Sequence, residues 1–320
     1  MAQQQMISVW LDVPMRTAFS YLHPQPLPDG TRVRVAFGTR ELCGVVDNSQ
    51  QPPQVAPDKL KPVLAVLAGP TLPSLLLEQV AFAARYYLHP PGQALFTALP
   101  TALREPRDVA GQDRHCYVLS EQGRQAPPPP RSKVKLLLWH ALQQPQTREA
   151  LRQLHAQAHR YLADGLASGD IVALPWQVPP LQVCDALPLN PEQEAARAAV
   201  AAALGGYAAF LLHGITGSGK TEVYLQLIAE VLAAGRQVLV IIPEINLTPQ
   251  LIHRFACRFP ATLIACLHSG LSDGERLQGW LDAEAGRAGI VIGTRLAVFT
   301  PLPQLGLVIV DEEHDGSFKQ

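Results

Sequence analysis

The chain has 320 residues, 48% hydrophobic and 17% charged, with a formal net charge of -1. This length exceeds one ordinary core and predicts two or three domains. The near-neutral charge excludes a global basic field, so any contact with nucleic acid has to come from local patches. Cys43, Cys116, Cys184, Cys257 and Cys266 are scattered without C-x-x-C spacing, which supports neither zinc ligation nor a disulfide framework and predicts buried, reduced thiols. The start, MAQQQMISVWLDVP, lacks a basic segment followed by an apolar core. No apolar run reaches the roughly 18 residues of a membrane span. The expectation is a cytoplasmic protein with no membrane partner.

In chain order, the first block (about 6–105) holds short β-rich runs, ISVWLDV, TRVRVAF and CGVVD, broken by Pro and Gly. The helical run SLLLEQVAFAARYYLH follows. The tract Pro127–Pro130 can continue neither a helix nor a sheet interior and predicts a stiff loop or linker. The second block opens on a strand, HCYVLS. It continues with helices over VKLLLWHAL, TREALRQLH and HRYLADGLASGD and closes on the apolar run IVALPW, the order of a winged helix. Arg131, Lys133, Lys135, Arg148, Arg152 and Arg160 gather here. They read first as solvated helix faces, with phosphate contact by a DNA-binding module as the alternative. The third block alternates apolar runs with helices: AFLLHG, QVLVIIP, TLIACLH, GIVIGT and LGLVIVDEEH. Runs of this kind suit a parallel sheet covered on both faces. The expected organisation is a small β-rich domain (1–108), a winged-helix domain (109–180) and an α/β P-loop lobe with a mainly parallel sheet (181–320).

The chemistry concentrates in the third block. Gly214–Thr221, GITGSGKT, matches the phosphate-binding P-loop between a predicted strand and the predicted helix TEVYLQLIAEVLAA. Gly214, Thr216, Gly217, Ser218 and Gly219 would wrap backbone N–H groups around phosphate oxygens at a helix N-terminus. Lys220 would neutralise the β- and γ-phosphates of ATP, and Thr221 would coordinate Mg²⁺. In VIVDEEHD an apolar strand delivers Asp311 to its carboxyl end as a second Mg²⁺ partner, with Glu312 placed to polarise the attacking water. LNPEQEAA reads as a helix start, with Asn190 as N-cap, Pro191 at the first helical position and Gln193 closing a capping box.

Superfamily 2 helicases place GxGKT, a TPQ-type element, a GTR element and a DExH box in this order. The segments GITGSGKTEVY, IIPEINLTPQ, LHSGLS, ERLQGWLDAEAGRAGIVIGTRLAVFTPL and VDEEHDGSFKQ resemble the PriA family, also called primosomal protein N′. The resemblance covers all three blocks and is strongest from about 187 to 320. It implies a 3′-DNA-binding domain, a winged helix and two RecA-like lobes. It further implies an ATP- and Mg²⁺-dependent 3′-to-5′ DNA helicase that recognises abandoned forks and promotes primosome assembly. The implied partners are forked and single-stranded DNA, primosome proteins and single-strand DNA-binding protein.

By motif match, Gln193 would read adenine in addition to its helix-start role. Thr294, Arg295 and the elements around Thr248 and His268 would contact DNA, while a capping or core role for His268 stays open. His314 would couple nucleotide state to DNA. In AFSYLHP, AFGTR and LKPV, Phe19, Gly38 and Lys61 match the pocket for a nascent 3′ end, although Ser20 stands where the family usually has Asp. Phe19 also reads as a plain core aromatic. Phe82 and Tyr86 match the surface for the tail of single-strand DNA-binding protein, with Phe82 expected in the helix core. The second lobe, its arginine finger and the family's zinc-binding cysteines have no counterpart before Gln320. The expectation is therefore a fragment that binds nucleotide weakly and hydrolyses or unwinds poorly. Two other readings stay open. One is a DNA-structure adaptor whose P-loop lobe only scaffolds. The other is a small-substrate P-loop kinase, against which the GTR and DEEHD elements argue.

Overall fold

The structure, a computed structural model, describes residues 5–49, 59–109, 114–215, 217–244 and 248–319. The chain divides into two compact units, residues 1–111 with 179–320 and residues 112–178.

In the larger unit, β1 (Gln5–Leu11), β2 (Phe19–His23), β3 (Arg32–Phe37), β4 (Arg40–Val46) and β5 (Lys61–Val66) close a barrel in the order β1-β2-β5-β3-β4. Alternation along these strands sorts the side chains. Ile7, Val9, Leu11, Tyr21, Val33, Val35 and Val46 fill the interior. Trp10, Cys43 and Val45 point outward onto α1 (Ser74–Tyr86), α2 (Pro91–Ala98) and α3 (Thr101–Arg104). This is why apolar residues stand on both faces of β1: helices cover its outer face. Arg32 is 1% exposed. It donates to the backbone oxygens of Leu103, Glu105 and Arg107 at 2.9, 3.0 and 3.0 Å, tying the end of α3 to the barrel wall.

Residues 112–178 form a three-stranded sheet, β7-β6-β8, from β6 (His115–Leu119), β7 (Gln146–Thr147) and β8 (Ile171–Pro175). Leu138, Leu142, Leu151, Leu162 and Ile171 centre its core, contributed partly by α5 (Lys133–Ala141), α6 (Arg148–Leu154) and α7 (Ala158–Ser168). A short α4 (Glu121–Gln125) precedes α5, and the Pro127–Pro130 tract is the loop between them.

The rest of the larger unit is a parallel four-stranded sheet in the order β10-β11-β9-β12. Its strands are β9 (Gln237–Ile241), β10 (Ile264–Leu267), β11 (Ile290–Gly293) and β12 (Leu305–Val310). Its helices include α8 (Pro191–Ala201), α9 (Lys220–Ala233), α10 (Pro249–Arg258) and α11 (Asp273–Glu284). Leu277, Trp280 and Leu281 of α11 share one apolar cluster with Trp10, Leu95 and Leu103, so the barrel's helical side and the lobe are packed together.

Several expectations are corrected. AFLLHG is not a strand: residues 207–215 lie outside the sheet, with Tyr207 99% and Leu211 80% exposed. A strand exists only where a neighbour satisfies its N–H and C=O groups, and among the described residues this segment joins no ladder. β12 is half exposed, because it lies at the edge of the sheet. The cysteines are not all buried, since Cys184 and Cys257 are exposed. Phe82 lies on the outer face of α1, opposite the buried Leu76, Val80 and Ala84.

Two stability outcomes follow. A Cβ at Gly92 would sit 2.0 Å from the Leu11 carbonyl oxygen. Backbone cannot yield cheaply there, so Gly92→Ala should lower the thermal midpoint, at a cost of about 1–3 kcal/mol. An unshifted melt would contradict this packing of α2 on β1. Arg258 pairs with Glu222 while the two side chains are 4% and 14% exposed. Glu222→Ala leaves that cation buried and should cost about 3–5 kcal/mol in urea unfolding. Equal stability would show that the pair does not hold α9 to α10.

Candidate functional site

All four strands of the lobe run parallel, so their carboxyl ends share one edge of the sheet. That edge carries Asp311 after β12, the Thr294–Arg295 step after β11 and His268 after β10. Such an edge is where open α/β sheets bind ligands.

The P-loop leads into α9. Gly217 and Gly219 both adopt φ of +81°, the left-handed region that a side chain would strain. A Cβ on Gly219 would also lie 2.4 Å from Gln193 Nε2. No side chain caps the N-terminus of α9, which leaves its first turn facing outward as an anion cradle. Lys220 Nζ donates to the carbonyls of Gly214 (2.5 Å) and Ile215 (3.2 Å), so its ammonium is held inside the loop. Ser218 N bonds the Ile215 carbonyl at 3.1 Å. Thr216 lies outside the described residues.

Gln193 makes the expected capping box: its N–H donates to Asn190 Oδ1 and its Oε1 accepts from Asn190 N. Its Nε2 also donates to Ser218 O at 2.8 Å, which straps α8 to the P-loop. The loop is held from behind as well. Glu222, one residue past Thr221, pairs with Arg258 and accepts from Leu187 N at 3.1 Å. Arg258 in turn donates to the Cys184 carbonyl.

Thr221 and Asp311 are brought together by a residue that the sequence pattern did not single out. Tyr224 Oη donates to Asp311 Oδ2 at 3.4 Å and is hydrogen-bonded by Thr221. Burial, above all, pushes the Tyr224 phenol up to about 12, so it stays a neutral donor. The signal was present as helical spacing, since Tyr224 follows Thr221 by three positions and shares its face. A hydroxyl and a carboxylate that share one neighbouring hydroxyl are oxygen ligands of the kind a hard cation prefers. The cradle and Lys220 fit a phosphate. Glu312 adopts φ of +50°, its N–H bonds Asp311 Oδ1 at 3.1 Å, and its Oε2 lies 3.4 Å from His314 Nε2.

The other predicted residues lie away from this cradle. Thr294 precedes a 3-10 turn, Arg295–Phe299, with Arg295 exposed at its start. Thr248 caps α10, accepting from Leu251 N. On the barrel, Phe19 meets Phe37 edge to face, with ring centroids 5.2 Å apart. Gly38 turns at φ of +60° with nothing within 4 Å of a Cβ, and Lys61 opens β5 opposite Tyr21. Phe37 gave no signal of its own, although it adjoins Gly38. Ser20 pairs across the strand with Ser8, and both hydroxyls are buried without a hydrogen-bond partner. Phe82 and Tyr86 stack on the exposed face of α1, centroids 6.0 Å apart. In residues 112–178, Arg131, Lys133, Lys135, Arg148, Arg152 and Arg160 are all exposed. Arg148 bonds the Tyr117 hydroxyl and lies over its ring.

A family model described as a 3′ DNA-binding domain matches residues 8–100, and one described as a DEAD/DEAH box helicase matches residues 191–319. The replication restart protein PriA of Haemophilus influenzae is 36% identical over 99% of this chain and 45% of its own length. That of Chlamydia trachomatis is 32% identical over 82% of the chain and 36% of its own length. That of Synechocystis is 54% identical over 45% of the chain and 17% of its own length. The chain thus spans less than half the length of these curated relatives. With both family models and this near-complete alignment in agreement, the chain belongs to the PriA family of replication restart proteins.

Proposed function

We propose that the chain is the fork-recognising and ATP-binding part of a 3′-to-5′ DNA helicase of replication restart. The observation that carries this reading is the meeting of Thr221 and Asp311, through Tyr224, beside the glycine-lined cradle of Lys220. In this reading backbone N–H groups from Gly214 to Gly219 hold the phosphates. Lys220 exchanges its bonds to the loop carbonyls for phosphate oxygens. Thr221 and Asp311 hold Mg²⁺, which supplies charge neutralisation on the transferring phosphoryl group. Glu312 orients the attacking water, and the amide of Gln193 that straps the loop also faces adenine. Thr294 and Arg295 contact the DNA backbone, and His314 passes the nucleotide state to it through Glu312.

The first domain (1–108) takes the DNA 3′ end against Phe19, Gly38 and Lys61. Residues 109–180 act as a winged helix, supported by a three-stranded sheet with α5, α6 and α7 and by their exposed basic residues. The lobe spans 181–320. Partners would be forked and single-stranded DNA, primosome proteins and single-strand DNA-binding protein, in the cytoplasm. No helix among the described residues is long and apolar enough to cross a membrane.

In the protein as its gene encodes it, Lys220→Ala should weaken ATP binding at least tenfold and abolish DNA-stimulated hydrolysis, as removal of a charge-assisted hydrogen bond implies. Fork binding and restart at wild-type level in that variant would favour the adaptor instead. Fork binding should also weaken as salt rises, because bound phosphates release counterions. Lys133→Ala with Lys135→Ala should lower the slope of log K against log salt by roughly one for each phosphate no longer neutralised. An unchanged slope would place residues 109–180 away from DNA.

A further inference from the structure

The geometry points to Tyr224 as a positioning residue of the ion site: its hydroxyl joins Thr221 to Asp311 and sets the carboxylate before the ion arrives. The inference rests on the reading of Thr221 and Asp311 as Mg²⁺ partners, and it concerns a residue that reading does not use.

The ring of Tyr224 is fixed by packing. It is 7% exposed and lies nearly parallel to Phe255 of α10, centroids 6.5 Å apart and planes at 20°. Phe255 itself is fully buried. α10 is in turn held to α9 by the buried Arg258–Glu222 pair. The phenol therefore cannot swing away, and its hydroxyl is the one polar atom the side chain offers. That hydroxyl receives a hydrogen bond from Thr221 and donates to Asp311 Oδ2.

Asp311 needs such a holder. It stands just past the last residue of an edge strand, and its backbone N–H bonds Ile241 O at 2.9 Å. Its Oδ1 takes the N–H of Glu312 and its Oδ2 takes Tyr224. Two donors on two different oxygens set the plane of the carboxylate. A phenylalanine would preserve the stacking and remove only one donor. The carboxylate would then rotate among several orientations, and ion binding would have to restrict it again.

The test uses fluorescently labelled ADP, titrated into the full chain with EDTA and with increasing Mg²⁺. Tyr224→Phe should keep the wild-type melting temperature and the wild-type affinity in EDTA. The Mg²⁺ concentration giving half of the affinity gain should rise about tenfold, the size expected for one hydrogen bond to a charged group. Asp311→Asn serves as the reference and should lose the Mg²⁺ gain. If wild type gains affinity with Mg²⁺ and Asp311→Asn does not, yet Tyr224→Phe matches wild type throughout, the positioning role is wrong while the ion site stands. If Tyr224→Phe weakens equally with and without Mg²⁺ and melts lower, Tyr224 is a packing residue and the inference falls. If Mg²⁺ gives wild type no gain, or Asp311→Asn keeps it, the ion site fails and the inference with it.

Discussion

The buried ion pair between Arg258 and Glu222 is the constraint on which the site's geometry hangs. A guanidinium taken out of water is tolerated only against a carboxylate and further acceptors. Here it finds Glu222 on α9 and the Cys184 carbonyl. The pair therefore joins α10, α9 and the strap at 184–187 in one place, directly behind Thr221. Because Glu222 also takes the Leu187 N–H, the chain enters α8 at a set position. From α8, Gln193 reaches the Ser218 carbonyl. The P-loop is thus braced from behind by Glu222 and Arg258 and strapped to α8 by Gln193.

The same constraint of position holds for Thr221 and Asp311. Parallel strands bring Asp311 to the sheet edge, and α9 brings Thr221, but neither element alone sets the distance between them. Tyr224 does, because its ring is trapped against Phe255. Lys220, bonded to the carbonyls of its own loop, keeps that loop folded around its ammonium. The barrel contributes from the other side of the unit. The shared cluster of Trp10, Leu103 and Trp280 joins its helical face to α11, so the two parts of this unit are one packed body.

Much was legible in the sequence because it depends on local chemistry. The spacing of GITGSGKT, the apolar run before Asp311 and the capping box at Asn190 and Gln193 each follow from nearby residues and appear where they were read. β9, β10 and β11 were readable because parallel strands inside a sheet are continuous apolar runs, and β12 because its run is equally apolar despite its edge position. The failure at AFLLHG has the same root. An apolar run of strand length states a preference, and pairing is settled by a neighbour elsewhere in the chain. Phe82 was misjudged because a helix dense in apolar residues hides which stripe faces inward, whereas the barrel selects Leu76, Val80 and Ala84.

What the sequence by itself determined is the chemical inventory and its order: a glycine-rich loop with a lysine, an acidic strand exit and basic helices. These rest on backbone conformation and side-chain type, which short spacings encode. Only the tertiary structure decided that Tyr224 joins Thr221 to Asp311, that Phe37 meets Phe19, and that Arg258 and Glu222 brace the loop. Those pairings span 18 to 87 residues of chain. They are selected by burial and by the need to satisfy every polar group so buried, a condition that exists only once the core has formed.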